Sequence, residues 1–215
     1  MQKKYRSFFR LRFSMGLQYR AAALAGVITQ FVWGLLQILV YRAFYQGNEA
    51  AFPMTFSATV SYVWLQQAFL AFFAAWMMEE EIFDVIMNGN IAYELCRPID
   101  LYAMWFSRSL ANRLSKSLLR CFPILIIAAF LPAPYGLRLP ASLLCFVAFL
   151  LTLILGLMVS VSFCMLIYVA SIFTISPNGL RMLFTSAVEF FSGGVIPLPF
   201  FPAKLQLIME LLIDL

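Results

Sequence analysis

Of the 215 residues, 63% are hydrophobic and 12% charged, against roughly 45–50% and about 25% in ordinary soluble domains. A soluble fold of this length cannot hide so much apolar surface, whereas a lipid solvent removes the need to hide it. The net charge is +5 and there is no His, which excludes His-based triads and H-E-x-x-H zinc sites. The bases lie beside apolar stretches, so they fit a membrane surface rather than nucleic acid. The predicted fold class is all-α: a polytopic membrane helix bundle of about five transmembrane helices, each needing ~20 apolar residues, in one domain.

Residues 1–20 carry Lys3, Lys4, Arg6, Arg10, Arg12 and Arg20. Lys3, Arg6 and Arg10 share one helical face, and Tyr5, Phe9, Phe13 and Leu17 another. This predicts an interfacial helix, with a basic tail as the alternative. It does not read as a signal peptide, because the apolar run that follows is too long and no small-residue cleavage pattern closes it. The first span is expected over 21–44, followed by a short loop at Gln46-Gly47-Asn48-Glu49, and the second over 56–78, with Tyr62, Trp64 and Trp76 as amphipathic aromatics. Residues 79–111 form a charged cytoplasmic segment, and a third span follows over 112–131. Arg113, Lys116 and Arg120 share one face of it, where long stems reach the headgroups.

Pro132-Ala133-Pro134-Tyr135-Gly136 reads as a loop. The uncharged stretch 141–173 is one long tilted span, or a hairpin whose halves are each short for a bilayer. Ser176-Pro177-Asn178-Gly179 closes it, and a fifth span occupies 180–196. Pro197, Pro199 and Pro202 forbid a regular helix thereafter. Residues 197–215 form an external connector ending in a short helix at Ala203 to Leu215. With the N-terminus cytoplasmic, twelve of the fifteen Lys and Arg fall inside and only Arg42, Arg138 and Lys204 outside, as the positive-inside bias requires.

No G-x-x-x-x-G-K-[ST] loop is present, so this chain cannot hold ATP in the P-loop manner. Cys96, Cys121, Cys145 and Cys164 form no CxxC pair and read as packing residues. The acids Glu79, Glu80, Glu81 and Asp84 have no neighbouring metal ligands. They open a short helix candidate whose apolar side is Ile82, Val85, Ile86 and Met87, with acids at the positive end of the helix dipole and Asn88-Gly89-Asn90 as the stop. Such a helix either docks into a partner's groove or rests on the headgroups. Pro98 disfavours helix at Arg97 and predicts a bend there. Glu189 is the single acid inside a predicted span. It is a candidate translocation-path residue, or else a protonated acid or a partner of Arg181. Ala22 and Gly26, four apart, allow close helix packing.

Gly89-Asn90-Ile91-Ala92-Tyr93-Glu94-Leu95-Cys96-Arg97-Pro98, followed by Leu101-Tyr102, resembles the signature of ABC type-2 (ABC-2 family) permeases. These are the membrane subunits of ABC exporters whose ATPase is a separate chain. Asn90 stands where the family usually has an acid. The likeness extends to the basic N-terminal helix, the first hairpin, the cytoplasmic segment and the Pro-rich stretch after the fifth span. The family has six spans; residues 197–215 resemble the connector between its fifth and sixth, so no sixth span is expected within these residues.

The resemblance implies a multi-pass permease in the cell (plasma) membrane of a bacterium, dimeric with an identical or different second permease subunit. ATP and Mg would sit in the partner ATPase and no cofactor in this chain. It makes the segment from Glu79 to Asn90 a coupling helix, with Glu79, Glu80, Glu81, Phe83 and Asp84 as ATPase contacts, the acids meeting bases on the partner. Gly89, Arg97 and Pro98 would shape the turn into the third span. The competing expectations are an ATPase-independent membrane scaffold or intramembrane enzyme, and a truncated permease remnant.

Overall fold

A computed structural model of the chain describes residues 2–47, 49, 52–140, 142–174, 176–194, 196–202 and 204–207. Every regular element among them is helical. In chain order these are α1 (Gln2–Gln18), α2 (Arg20–Gly47), α3 (Phe56–Ala68), α4 (Leu70–Phe73), α5 (Glu80–Met87), α6 (Ile91–Leu95), α7 (Leu101–Phe130), α8 (Leu143–Ile172) and α9 (Pro177–Phe191). A 3-10 turn at Leu198–Phe200 follows. The chain divides into two compact units. The first comprises Met1–Tyr19, Ala71–Ser117 and Ser142–Ser186, and the second Arg20–Leu70, Leu118–Ala141 and Ala187–Leu215.

In the first unit, α1 is helical as its two-faced pattern predicts. Lys3, Arg6 and Arg10 are exposed, while Tyr5, Phe9, Phe13 and Leu17 are half-buried. Gly16 lets α1 seat on α7, since a Cβ there would collide with the Ser115 side chain. The core joins Met78, Ile82 and Phe83 to Met104 and Trp105 of α7 and to Leu157, Val161, Met165 and Tyr168 of α8. Asp100 starts α7, its carboxylate accepting from the Ala103 N–H at 2.6 Å, a helix-capping bond. The helix therefore begins eleven residues before the expected third span. Ser142 caps α8 in the same way, through the Cys145 N–H.

In the second unit, α2 and α3 form a hairpin built on Gly34, which receives the Trp64 ring. Val27, Ile38, Val60, Val63, Trp64, Cys121, Ile124 and Ala128 make its core. Tyr45 closes the hairpin end, its hydroxyl 2.7 Å from the Met54 carbonyl and 2.8 Å from the Thr59 hydroxyl. The loop after α7 is tied down by the Trp64 indole N–H, which donates to the Tyr135 carbonyl at 2.9 Å.

Among the described residues two helices, α2 and α8, are long and apolar enough to cross a bilayer. Only 28% of the most apolar stretch of α2 and 11% of that of α8 is buried. A core helix of a water-soluble protein would bury such a surface, so these exposed apolar flanks fit a lipid solvent. In α2 the buried residues Ala23, Val27, Gln30, Gly34 and Ile38 recur every three or four positions, while Leu24, Ile28, Val32, Leu36 and Val40 face outward. Within the uncharged stretch a single helix, α8, runs unbroken from Leu143 to Ile172.

Two expected spans differ. The run 56–78 is not one helix: α3 ends at Ala68, α4 stops at Phe73, and residues 74–79 carry no helix. At 1.5 Å per residue, the 13 residues of α3 reach about 20 Å. The fifth expected span, 180–196, is helical only to Phe191, with Ser192-Gly193-Gly194 turning. Gly193 takes φ +79° in that turn, a conformation that favours glycine. The proline segment has the non-helical character expected, apart from the 3-10 turn. Residues 208–215, and with them most of the expected terminal helix, lie outside the described residues.

Candidate functional site

The acidic segment folds as α5, eight residues opening with Glu80 and Glu81. Its amphipathic pattern sets which side turns inward: Ile82 and Phe83 are buried, and Glu80, Glu81, Asp84 and Met87 are exposed. Phe83, expected among the ATPase contacts, is only 2% exposed and packs edge-on against Tyr168 at 5.0 Å. It is an anchor of α5 rather than part of an accessible surface, because the apolar face of a short helix must be covered to hold it in place.

Arginines from three helices of the same unit hold the acids. Arg108 of α7 pairs with Glu81 and lies 3.6 Å from the Glu79 carboxylate, which also accepts from the Asn112 amide at 2.7 Å. Arg12 of α1 lies 3.7 Å from Glu81. Arg181 of α9 donates to Glu80 at 2.6 Å and to the Trp76 carbonyl at 3.3 Å, with its guanidinium 5.2 Å above the Phe83 ring. The Glu79 N–H donates to the Tyr168 hydroxyl at 2.6 Å. Thus Glu79, Glu80 and Glu81, expected to meet bases on a partner, meet bases of their own chain. The acids are adjacent in sequence, and folding brings the arginines to them. The side chain of Asp84 has no hydrogen-bond or ion-pair partner among the described residues.

Beneath this helix lies Arg113. It was expected to reach the headgroups, yet it is 3% exposed. Its guanidinium donates to the carbonyls of Phe72 at 2.8 Å, Ala74 at 3.1 Å and Met77 at 3.3 Å, with the Ala71 carbonyl at 3.4 Å and the Cys164 sulfur at 3.1 Å. The last carbonyls of a helix have no partner within it. A five-donor guanidinium satisfies several at once, so the chain can unwind over 74–79 without stranding buried carbonyls. Cys164 is more than a packing group, since it shares this clamp. Lys116 is exposed and Arg120 half-buried.

Gly89, Arg97 and Pro98 lie between α5 and α7. Gly89 takes φ +71° at the end of α5, with no atom within 4 Å of a Cβ placed there. Gly89→Ala is therefore expected to destabilise by about 1 kcal/mol through the backbone alone, measured as a lowered unfolding temperature. Asn90 precedes α6, where Glu94 accepts from the Trp105 indole at 2.9 Å. The Ile99 N–H reaches the Arg97 carbonyl at 2.8 Å across Pro98, a tight turn leading into α7. Glu189 lies on α9, half-buried. Its carboxylate has no ion-pair or hydrogen-bond partner among the described residues. Arg181, its expected alternative partner, is held by Glu80.

Arg12, Arg108, Asn112 and Tyr168 carry no motif. Arg108 and Asn112, four apart on one helix face, were the available signal for a polar seam. Among the described residues no three His, Cys, Asp or Glu side chains converge as a metal site requires. Compared with known protein families, with curated proteins and with solved structures, the chain matches none.

Proposed function

We propose that this chain is the membrane-spanning permease subunit of an ATP-driven exporter of the ABC-2 kind. In this reading it forms half of a translocation path with a second permease subunit, and it crosses the plasma membrane several times from a cytoplasmic N-terminus. ATP and Mg belong to a separate ATPase chain. The observation that carries the reading is α5. It is a short acidic helix braced by Arg12, Arg108 and Arg181 and by a buried apolar face, with Glu80, Glu81 and Asp84 still exposed. A braced helix transmits a push as a rigid-body shift, and an acidic outer face selects a basic partner surface. Glu189, a half-buried acid on α9, is the candidate for lining the path.

A second reading, a membrane scaffold without an ATPase, is favoured by one observation: the charges of Glu79, Glu80 and Glu81 are already met within the chain. Asp84 separates the two, because it takes no part in the internal network. In the permease reading, the Asp84→Lys and Met87→Glu double variant keeps the wild-type unfolding temperature but loses about tenfold in affinity for the ATPase. Co-purification and coupled ATP hydrolysis measure this. An unchanged complex with unchanged coupling would reject α5 as the docking element.

A further inference from the structure

Arg120, on the part of α7 that belongs to the second unit, is a cation without a counter-charge. No carboxylate lies within 4 Å of it among the described residues, and its Nε is buried with no hydrogen-bond partner. Its guanidinium is seated on Gly26 of α2: a Cβ at that glycine would lie 2.5 Å from Cζ, 2.7 Å from Nε and 2.8 Å from Nη2. One turn further along the same face of α2, Gln30 is 5% exposed, and neither its amide nitrogen nor its amide oxygen has a partner. Orphaned buried amides are rare because each costs about 1–3 kcal/mol. An unpaired guanidinium within an apolar helix costs more, and it cannot shed its proton.

We propose that Gly26, Gln30 and Arg120 form a binding site for a phosphate group, carried by an anionic amphiphile of the cytoplasmic leaflet or free in solution. Water would satisfy the Gln30 amide but leave the arginine charge unbalanced. A phosphate oxygen accepts from both side chains and supplies the missing charge. Gly26 has no side chain to collide with the guanidinium, which occupies the space a Cβ would take and is thereby held against α2. Gly26 is six residues along α2 from Arg20, about 9 Å of helix, and Arg20 ends the basic segment assigned to the cytoplasmic face. The guanidinium thus lies where phosphate headgroups meet the hydrocarbon. The site rests on the membrane reading and is independent of an ATPase.

The test is thermal unfolding of the full chain in neutral detergent. Phosphatidylglycerol is titrated in one arm, phosphatidylcholine in a second and inorganic phosphate in a third. Saturable stabilisation by phosphatidylglycerol alone identifies a lipid phosphate, and equal stabilisation by inorganic phosphate identifies a free one. Either result supports the site when Arg120→Gln abolishes it. Gln30→Leu should raise the unfolding temperature without ligand, because it removes an orphaned amide. It should also raise the half-saturating ligand concentration about tenfold, as expected for one lost hydrogen bond to a charged group. Gly26→Ala should weaken binding by displacing the guanidinium. No stabilisation by either anion, or stabilisation that survives Arg120→Gln and Gln30→Leu unchanged, would overturn the proposal.

Discussion

Arg113→Met is expected to destabilise the chain by about 3–5 kcal/mol, a loss comparable to removing one partner of a buried charged network. Folded proteins hold only about 5–15 kcal/mol in total, so this is a large fraction of the whole. The reason lies in the carbonyls of Phe72, Ala74 and Met77, which all accept from one guanidinium. The thioether of Met fills the volume but donates nothing, leaving those carbonyls in apolar surroundings at about 1–3 kcal/mol apiece. The segment 74–79 must then either extend the helix, displacing Glu79 and α5, or stay unpaired. Arg113→Lys should fall between wild type and Met, since an ammonium is a compact donor and lacks the planar fork that spans several acceptors. Unfolding in detergent, followed by tryptophan fluorescence, measures the loss. Limited proteolysis should show new cleavage within 74–79. A Met variant as stable as wild type would mean that the clamp does not hold this segment.

The second large effect concerns the Glu79–Arg108 pair. Both side chains are mostly buried, at 14% and 8% exposure. Arg108→Met leaves the Glu79 carboxylate with only the Asn112 amide and removes one of the two arginines that hold Glu81. The expected cost is about 3 kcal/mol, the low end for a broken buried pair because Glu79 keeps some contact with solvent. Glu79→Leu alone should cost less, because Arg108 keeps its pairing with Glu81 and only the Asn112 amide loses its acceptor. The double variant Arg108→Met with Glu79→Leu should recover part of the loss, since two apolar side chains replace a pair that had to be desolvated. A double-mutant cycle reads this directly. A coupling near zero would show that the two residues act independently, leaving Arg108 to brace α5 through Glu81.

Much of the helical pattern was legible from local chemistry. The two-faced spacing of 1–20 marked α1, and the uncharged stretch 141–173 marked α8, which runs from Leu143 to Ile172. Glu79 to Met87, with acids first and Asn88-Gly89-Asn90 after, marked α5, and Arg97-Pro98 marked the bend before α7. These signals are short-range: periodicity, capping and proline geometry act within a few residues. The break after Phe73 was not legible. Residues 56–78 are uncharged throughout, and nothing in them competes with helix until a guanidinium some forty positions away takes their carbonyls. The partners of the glutamates were equally hidden, since Arg12, Arg108 and Arg181 are distant from them in sequence and from one another.

By itself the sequence determined that the chain is helical and rich in apolar surface, where its charges cluster, and which face of each amphipathic segment is apolar. These follow from side-chain transfer energies and backbone propensities, which need no partner. Only the tertiary structure decided that Phe83 is an anchor, that Arg113 faces inward instead of reaching toward headgroups, and that among the described residues Asp84 has no partner and Arg120 no counter-charge. The physical reason is that charge and hydrogen-bond satisfaction are pairwise. A carboxylate, a guanidinium or a carbonyl has its role set by what folding places within about 3 Å of it, and that neighbour is not written beside it in the chain.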